Sequence, residues 1–487
     1  VAIAPFSHER YFLWDTRRLE ENDMNAQTFA ARRRTLREAL PTGAILILAN
    51  AEAPKNYADN VYPFRQDSHF LYYVGVNEAE MAALLMPDGE EILFGREEHP
   101  DDLVWHGPHA VLADHATASG FAATGLRKTL GEVVAGLLSK GQEIHYLPPY
   151  RAERRFELAE ILGVDPRVVD GGVSQALIKA VVAQRSVKTR DEIAEIENAL
   201  AVTAEAYRAI MAATRPGKTE AELAAVLQGV ALAHDRQQSF NPIVSVRGEV
   251  LHNTSYANTV AEGDLLLVDS GADSARWYAS DITRTFPVSG RFTQRQRDVY
   301  EIVLAMQMAA IEAASPEKTN RELHMLAALT AAQGLVDLGL MQGDPQSAVE
   351  AGAHALFFPH GLGHMLGQDV HDMEDLGDLV GYDEGESRSE QFGLAFLRLA
   401  KKLQPGFVIT IEPGIYFVPA LIDQWRSAGR HSEFIRYDRL EDYEGFGGIR
   451  IEDDVLITDD GARVLGPGIP KTVADLESVV GNSAVHI

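Results

Sequence analysis

Four acidic residues stand in or at the end of apolar, strand-like runs in the second half of this 487-residue chain: Asp269 in "LLLVDSG", Asp281 in "SDITRTF", Glu412 in "VITIEPG" and Glu452 in "GGIRIEDD". Period-two alternation sets Asp281, Thr283 and Thr285 on one face with Ile282 and Phe286 on the other, and Arg450 with Glu452 opposite Ile449 and Ile451. A single strand-end acid is usually a turn or cap residue. Several turned into one interior are a different matter, because like charges at contact distance raise one another's pKa and resist ionisation. Such a chain can bury them together only if cations neutralise them, and two divalent ions supply the charge needed. There is no cysteine, so disulfides and thiolate metal sites are excluded, and any ligand set must be oxygen and imidazole. An oxygen-rich set with one histidine suits Mn, with Zn or Co as alternatives. Two ions about 3.5 to 4 Å apart can share carboxylates and a bridging hydroxide, the nucleophile of a metal-assisted hydrolase.

The histidine would come from "FFPHGLGHMLGQDVHD", which carries His360, His364 and His371. His360 and His364 have the spacing of the zinc motif H-E-x-x-H, but Gly361 stands where that motif has its glutamate. Gly361 and Gly363 also weaken a helix. The run is therefore expected as a loop, or as one ligand among others brought from elsewhere. No G-x-S-x-G elbow or G-x-x-x-x-G-K-[ST] loop points to a serine hydrolase or a nucleotide enzyme.

Length predicts more than one core. "AARRRTLREAL" predicts a charged helix, "GAILILAN" a buried strand, and "AALLMPDGEEILFG" a hairpin turning at Pro87 to Glu90, so residues 1–184 are expected to form an α/β domain. From "RSVKTRDEIAEIENALAVTAEAYRAIMAAT" and "KTEAELAAVLQGVALAH" long amphipathic helices begin, with antiparallel strands later, so residues 185–487 are expected to be an α+β domain. The 44 Lys and Arg against 71 Asp and Glu give a net charge of -27, which argues against nucleic-acid or anionic-membrane partners and for a soluble protein. No apolar run reaches the 18 or so residues of a membrane span, and "VAIAPF" is followed by charges rather than a signal-peptide core. A cytoplasmic enzyme is the expectation.

The ordered set Asp269, Asp281, His364, Glu412 and Glu452, within "DSG", "SDITRTF", "HGLGHMLGQDVHD", "IEPGIYF" and "GGIRIEDD", closely resembles the prolidase and aminopeptidase P family of "pita-bread" metallopeptidases. "FRQDSHFLYYVGV" is similar to that family's α/β N-terminal domain, and the long segment between Glu412 and Glu452 looks like the eukaryotic-type prolidases. The resemblance implies an α/β N-terminal domain before a pita-bread catalytic domain. It implies that Asp281 and Glu452 bridge two ions, with Asp269 completing one site and His364 with Glu412 the other. Glu412 would also carry the proton to the departing nitrogen, His252 and His371 would steady the oxyanion, and Arg450 would hold the surrounding shell. His360, Tyr416 and Arg398 would line the substrate site, with Arg398 placed to bind a dipeptide's free carboxylate, and Trp105 would reach across a homodimer. The implied reaction is prolidase hydrolysis of Xaa-Pro dipeptides. The alternatives are aminopeptidase P action on longer peptides and, from another class, a metal-free binding module or amidinohydrolase of the same fold.

Overall fold

The computed structural model describes residues 24–482 apart from 98, 100, 106 and 108, and the opening "VAIAPF" run lies outside them. The chain divides after Arg185 into two compact units. In the first, five strands run in the order β4-β3-β2-β1-β5, with β1 Ala44–Leu48, β2 Ala82–Leu85, β3 Glu91–Gly95, β4 Ala123–Leu126 and β5 Ile144–His145. The hairpin forms as the turn signal predicts, pairing Leu85 with Glu91. The Ala26–Ala39 helix, opened by an Asn25 cap, holds a surprise for its charged sequence. Arg33 is fully buried, with Nε donating to Glu91 at 2.7 Å and Nη1 to the Tyr73 carbonyl at 2.9 Å. Its charge is matched inside the fold rather than solvated.

The second unit is built in two rounds, each a helix pair followed by strands. Helices Arg190–Ala213 and Glu220–Ala233 precede β6 (Ile243–Ser245), β7 (Leu265–Ser270) and β8 (Ile282–Pro287), and helices Gln294–Ala313 and Asn320–Asp337 precede five further strands. Each of the four helices opens on a threonine capping box, Thr189 with Glu192, Thr219 with Glu222, Thr293 with Gln296 and Thr319 with Glu322. The simpler order of helices first and strands later is thus corrected. Each pair needs its own strands to cover its apolar side, and Tyr207 of the first pair ties to β7 by donating to the Val268 carbonyl at 3.1 Å.

A second correction concerns the strands themselves. "FVITIEPGIYF" is not one strand but β9 (Val408–Ile411) and β10 (Gly414–Tyr416), and "FGGIRIEDDVLIT" is β11 (Gly448–Arg450) and β12 (Asp453–Ile457). β9 and β12 pair in one sheet with β13 (Ala462–Val464), while β10 and β11 pair in another. The breaks fall at Glu412–Pro413 and Ile451–Glu452. Pro413 has no N–H to give a ladder. The freed amides are captured elsewhere: Glu412 N–H donates to the Leu362 carbonyl at 2.8 Å and Glu452 N–H to the Thr283 carbonyl at 3.0 Å. Both acids therefore sit where the chain changes sheets, which aims them out of the ladder. No helix among the described residues is long and apolar enough to cross a membrane.

His324 and His354 lie fully buried, their rings 6.3 Å apart. Burial lowers His324 to about 3, helped by the charge His354 and His360 would carry, and burial lowers His354 to about 4. With folded values depressed, the folded state holds both neutral while the unfolded chain takes up protons below its ordinary value near 6.5. Their stabilisation is complete above that value and is lost as pH falls through the folded ones, at about 1.4 kcal/mol per pH unit for each histidine. Urea midpoints measured between pH 7 and 5 should fall, and His324→Phe should flatten the slope; an unchanged slope in that variant contradicts the assignment.

Candidate metal centre

β7 delivers Asp269 at its end, the residue before β8 is Asp281, and the two sheet changes deliver Glu412 and Glu452. The histidine comes from "HGLGHM", which is extended rather than helical and runs beside β9. His364 N–H donates to Thr410 Oγ1 at 3.1 Å, and Thr410 N–H returns a bond to the His364 carbonyl at 3.0 Å. Gly363 allows that approach, because a Cβ there would lie 1.9 Å from the Thr410 carbonyl oxygen. His364 Nδ1 donates to the Met365 carbonyl at 3.0 Å, so the lone pair of Nε2 faces the acids, 3.4 Å from Asp281 Oδ2 and 3.7 Å from Glu412 Oε1. Among the described residues, Asp281, His364 and Glu452 form the group whose ligand atoms all lie within 4.8 Å of one another. Asp269 and Glu412 flank this group.

The electrostatics are those of a site built around cations. Burial first, then the neighbouring carboxylates, pushes Asp281 and Glu452 well above the usual carboxylate range. Burial also pushes Glu412 up to about 7, against the pull of Arg450, and holds His364 well below the usual imidazole value. The buried Oδ1 atoms of Asp269 and Asp281 have no hydrogen-bond partner. Unpartnered buried carboxylate oxygens, on acids one of which also brings Oδ2 to 3.4 Å from the His364 imidazole, are what a divalent cation would satisfy, so the residues present fit one.

Arg450 is the cation the chain itself supplies. Its Nη2 meets Asp269 Oδ2 at 2.5 Å, Nε donates to Thr283 Oγ1 at 3.1 Å and Nη1 to the Tyr416 hydroxyl at 3.0 Å. Thr283 Oγ1 in turn donates to Glu452 Oε2 at 2.6 Å. Tyr416 is fully buried and its phenol is pushed up to about 12 by burial, so it stays protonated and donates to His360 Nε2 at 2.8 Å. His360 Nδ1 donates to the Gly361 carbonyl at 2.7 Å.

Beside this cluster lies a cavity of about 140 Å³ lined by His364, His371, Glu374, Arg388 and Arg398, among others. The His371 ring stands 4.3 Å from that of His364, and its Nδ1 donates to Glu374 Oε2 at 2.6 Å. Glu374 also accepts from Arg398 Nε at 2.9 Å, and its carboxyl is held down at about 2, by the His371 hydrogen bond above all. His252 is exposed, its imidazole lowered by partial burial and by the charges of Arg398 and Arg450. Trp105, in the Asp102–Trp105 turn of the first unit, is 79% exposed and belongs to no described cluster.

Sequence reasoning missed three supporting residues. Thr283 was visible only as a polar neighbour on the Asp281 face. Glu374, three residues past His371, carried no motif. Lys188, whose ammonium meets Asp372 at 2.9 Å with both groups buried, lies 184 residues from its partner.

The fold and the site together define a metallopeptidase. The sequence matches metallopeptidase family M24 over residues 194–459 and the aminopeptidase P N-terminal domain over residues 29–145. It is 33% identical over 464 residues to the Xaa-Pro aminopeptidase of Haemophilus influenzae, covering 92% of this chain and 96% of that one. It is 31% identical over 456 residues to the Xaa-Pro dipeptidase of Homo sapiens, covering 90% and 89%. Among solved structures, the aminopeptidase PepP of Pseudomonas aeruginosa superposes with a TM-score of 0.79 at 29% identity, over 95% of this chain and 99% of that one. This chain belongs to metallopeptidase family M24, with the N-terminal and pita-bread catalytic domains of that class.

Proposed function

We propose that this protein hydrolyses Xaa-Pro dipeptides. Asp269, Asp281, His364, Glu412 and Glu452 would hold two divalent ions, Mn first and Zn or Co as alternatives. When bound, the ions supply Lewis acidity for the scissile carbonyl and lower the pKa of a water. The chain's own residues do the rest. Glu412, beside His364, carries the proton to the proline nitrogen, a poor leaving group with no N–H of its own. His371, held through Nδ1 by Glu374, keeps Nε2 free to donate to the carbonyl oxygen as charge develops on it, and His252 would assist. His360, Tyr416 and Arg450 form a hydrogen-bonded chain that fixes Asp269.

One observation carries the preference for dipeptides: Arg398 borders the same cavity as His364 and His371, and its hydrogen bond to Glu374 uses Nε and leaves the two Nη groups. A planar guanidinium recognises a carboxylate by two parallel charge-assisted bonds. Arg398→Ala should lower kcat/KM on Gly-Pro by about 30-fold or more, from the 2 to 5 kcal/mol typical of truncating one partner of such a pair. Peptides extended beyond proline should lose little. The Glu374 bond favours a second reading, aminopeptidase P action on longer peptides, since Arg398 already has a carboxylate partner. A wild type that prefers tripeptides, with Gly-Pro cleavage indifferent to Arg398→Ala, selects that reading.

The exposure of Trp105 supports a homodimer in which this indole meets the neighbouring copy. Light scattering should report a dimer that Trp105→Ala weakens. A fully active monomer at working concentration contradicts it.

A further inference from the structure

Between His371 and Glu374 the backbone does something expensive. Met373 is buried and adopts φ 61, a left-handed conformation that a bulky side chain rarely accepts. Strain of this kind persists where the surroundings over-determine it. Its effect here is to turn the chain back on itself: Glu374 N–H donates to the His371 carbonyl at 3.2 Å, and the Glu374 carboxylate returns over the cavity. There its two oxygens take different partners, Oε2 the His371 ring at 2.6 Å and Oε1 the Arg398 guanidinium at 2.9 Å. One carboxylate thus holds both the group beside His364 and the cation at the cavity wall.

This arrangement has a consequence for charge. The other cation on the wall, Arg388, is paired with Asp378 at 2.9 Å. Arg398 therefore meets an incoming peptide with a negative charge already beside it. A substrate carboxylate gains from the two Nη groups but is repelled by Glu374, whereas an uncharged end feels neither force. We propose that Glu374 is a specificity-determining residue, whose charge weakens recognition of a free carboxylate beside proline and so sets the balance between dipeptides and substrates blocked or extended there. The inference rests on the reading that Arg398 receives that carboxylate.

The test compares Gly-Pro with Gly-Pro amide, which lacks the carboxylate, on Mn-loaded enzyme. Glu374→Gln keeps the shape and removes the charge. It should lower KM for Gly-Pro about fivefold relative to KM for the amide, an effect that shrinks as salt rises because the pair is partly exposed. kcat should fall for both substrates, since His371 loses its charged partner. Glu374→Asp, which keeps the charge, should restore the wild-type KM ratio, a rescue that a purely structural role would not produce. If Glu374→Gln leaves the ratio unchanged while Arg398→Ala still raises KM for Gly-Pro, the inference about Glu374 is wrong and the dipeptide reading survives. If Arg398→Ala also leaves Gly-Pro unaffected, both fall.

Discussion

Stripping divalent ions from this protein should abolish its peptide hydrolysis and lower its melting temperature, and adding Mn should restore both. The size of the effect follows from what is left behind. Asp281 and Glu452 are 5% and 2% exposed, and one buried oxygen of each of Asp269 and Asp281, Oδ1, has no hydrogen-bond partner. Without cations these acids must take up protons or repel one another. A ligand bound only by the folded state stabilises it by about 4 kcal/mol when present at a thousand times its dissociation constant. Calorimetry with chelator and then with Mn, read beside Gly-Pro hydrolysis, checks this. A melting temperature that ignores chelation, in a sample shown by elemental analysis to have lost its ions, would contradict it. Glu412→Ala and Glu452→Ala should each lose activity together with bound metal, so metal content is to be measured on the same samples.

Arg450→Met should destabilise the fold by about 3 to 5 kcal/mol, the loss typical of breaking a buried ion pair from one side. Arg450 is 4% exposed and contacts Asp269, Thr283 and Tyr416 with separate nitrogens. Methionine fills part of the volume but, in the ion-free protein, leaves the buried Asp269 without its guanidinium partner. Tyr416→Phe removes only the hydroxyl between His360 and Arg450, and should cost about 1 to 3 kcal/mol as an unsatisfied buried group. The urea midpoints of the two variants rank the contributions. Equal midpoints, or an Arg450→Met protein as stable as the wild type, would show that Asp269 does not depend on this arginine.

Much of the catalytic unit could be read from local pattern. Acids ending apolar runs, the glycines that weaken a helix at "HGLGH" and the amphipathic periods after residue 185 are signals carried by a few neighbouring residues, and the structure contains the loop and the helices Arg190–Ala213 and Glu220–Ala233. What pattern could not supply is long-range. The two strand breaks depend on amides captured by Leu362 and Thr283 in other parts of the chain. Arg33 looks like a surface charge until the Tyr73 carbonyl and Glu91 are folded onto it. The Lys188–Asp372 pair, which ties the start of the catalytic unit to the residue after His371, is buried on both sides and joins segments no periodicity relates. Glu374 became visible only once a left-handed Met373 was seen to fold it back.

In the proposed reading, five residues from four strand ends and one loop hold two ions. Crystals of the protein grown with Mn, measured for anomalous scattering at the Mn edge, test it most directly. Two anomalous peaks should appear among Asp269, Asp281, His364, Glu412 and Glu452, and both should vanish in Glu452→Ala. A single peak, or peaks elsewhere in a protein that still cleaves Gly-Pro, would contradict the two-ion centre.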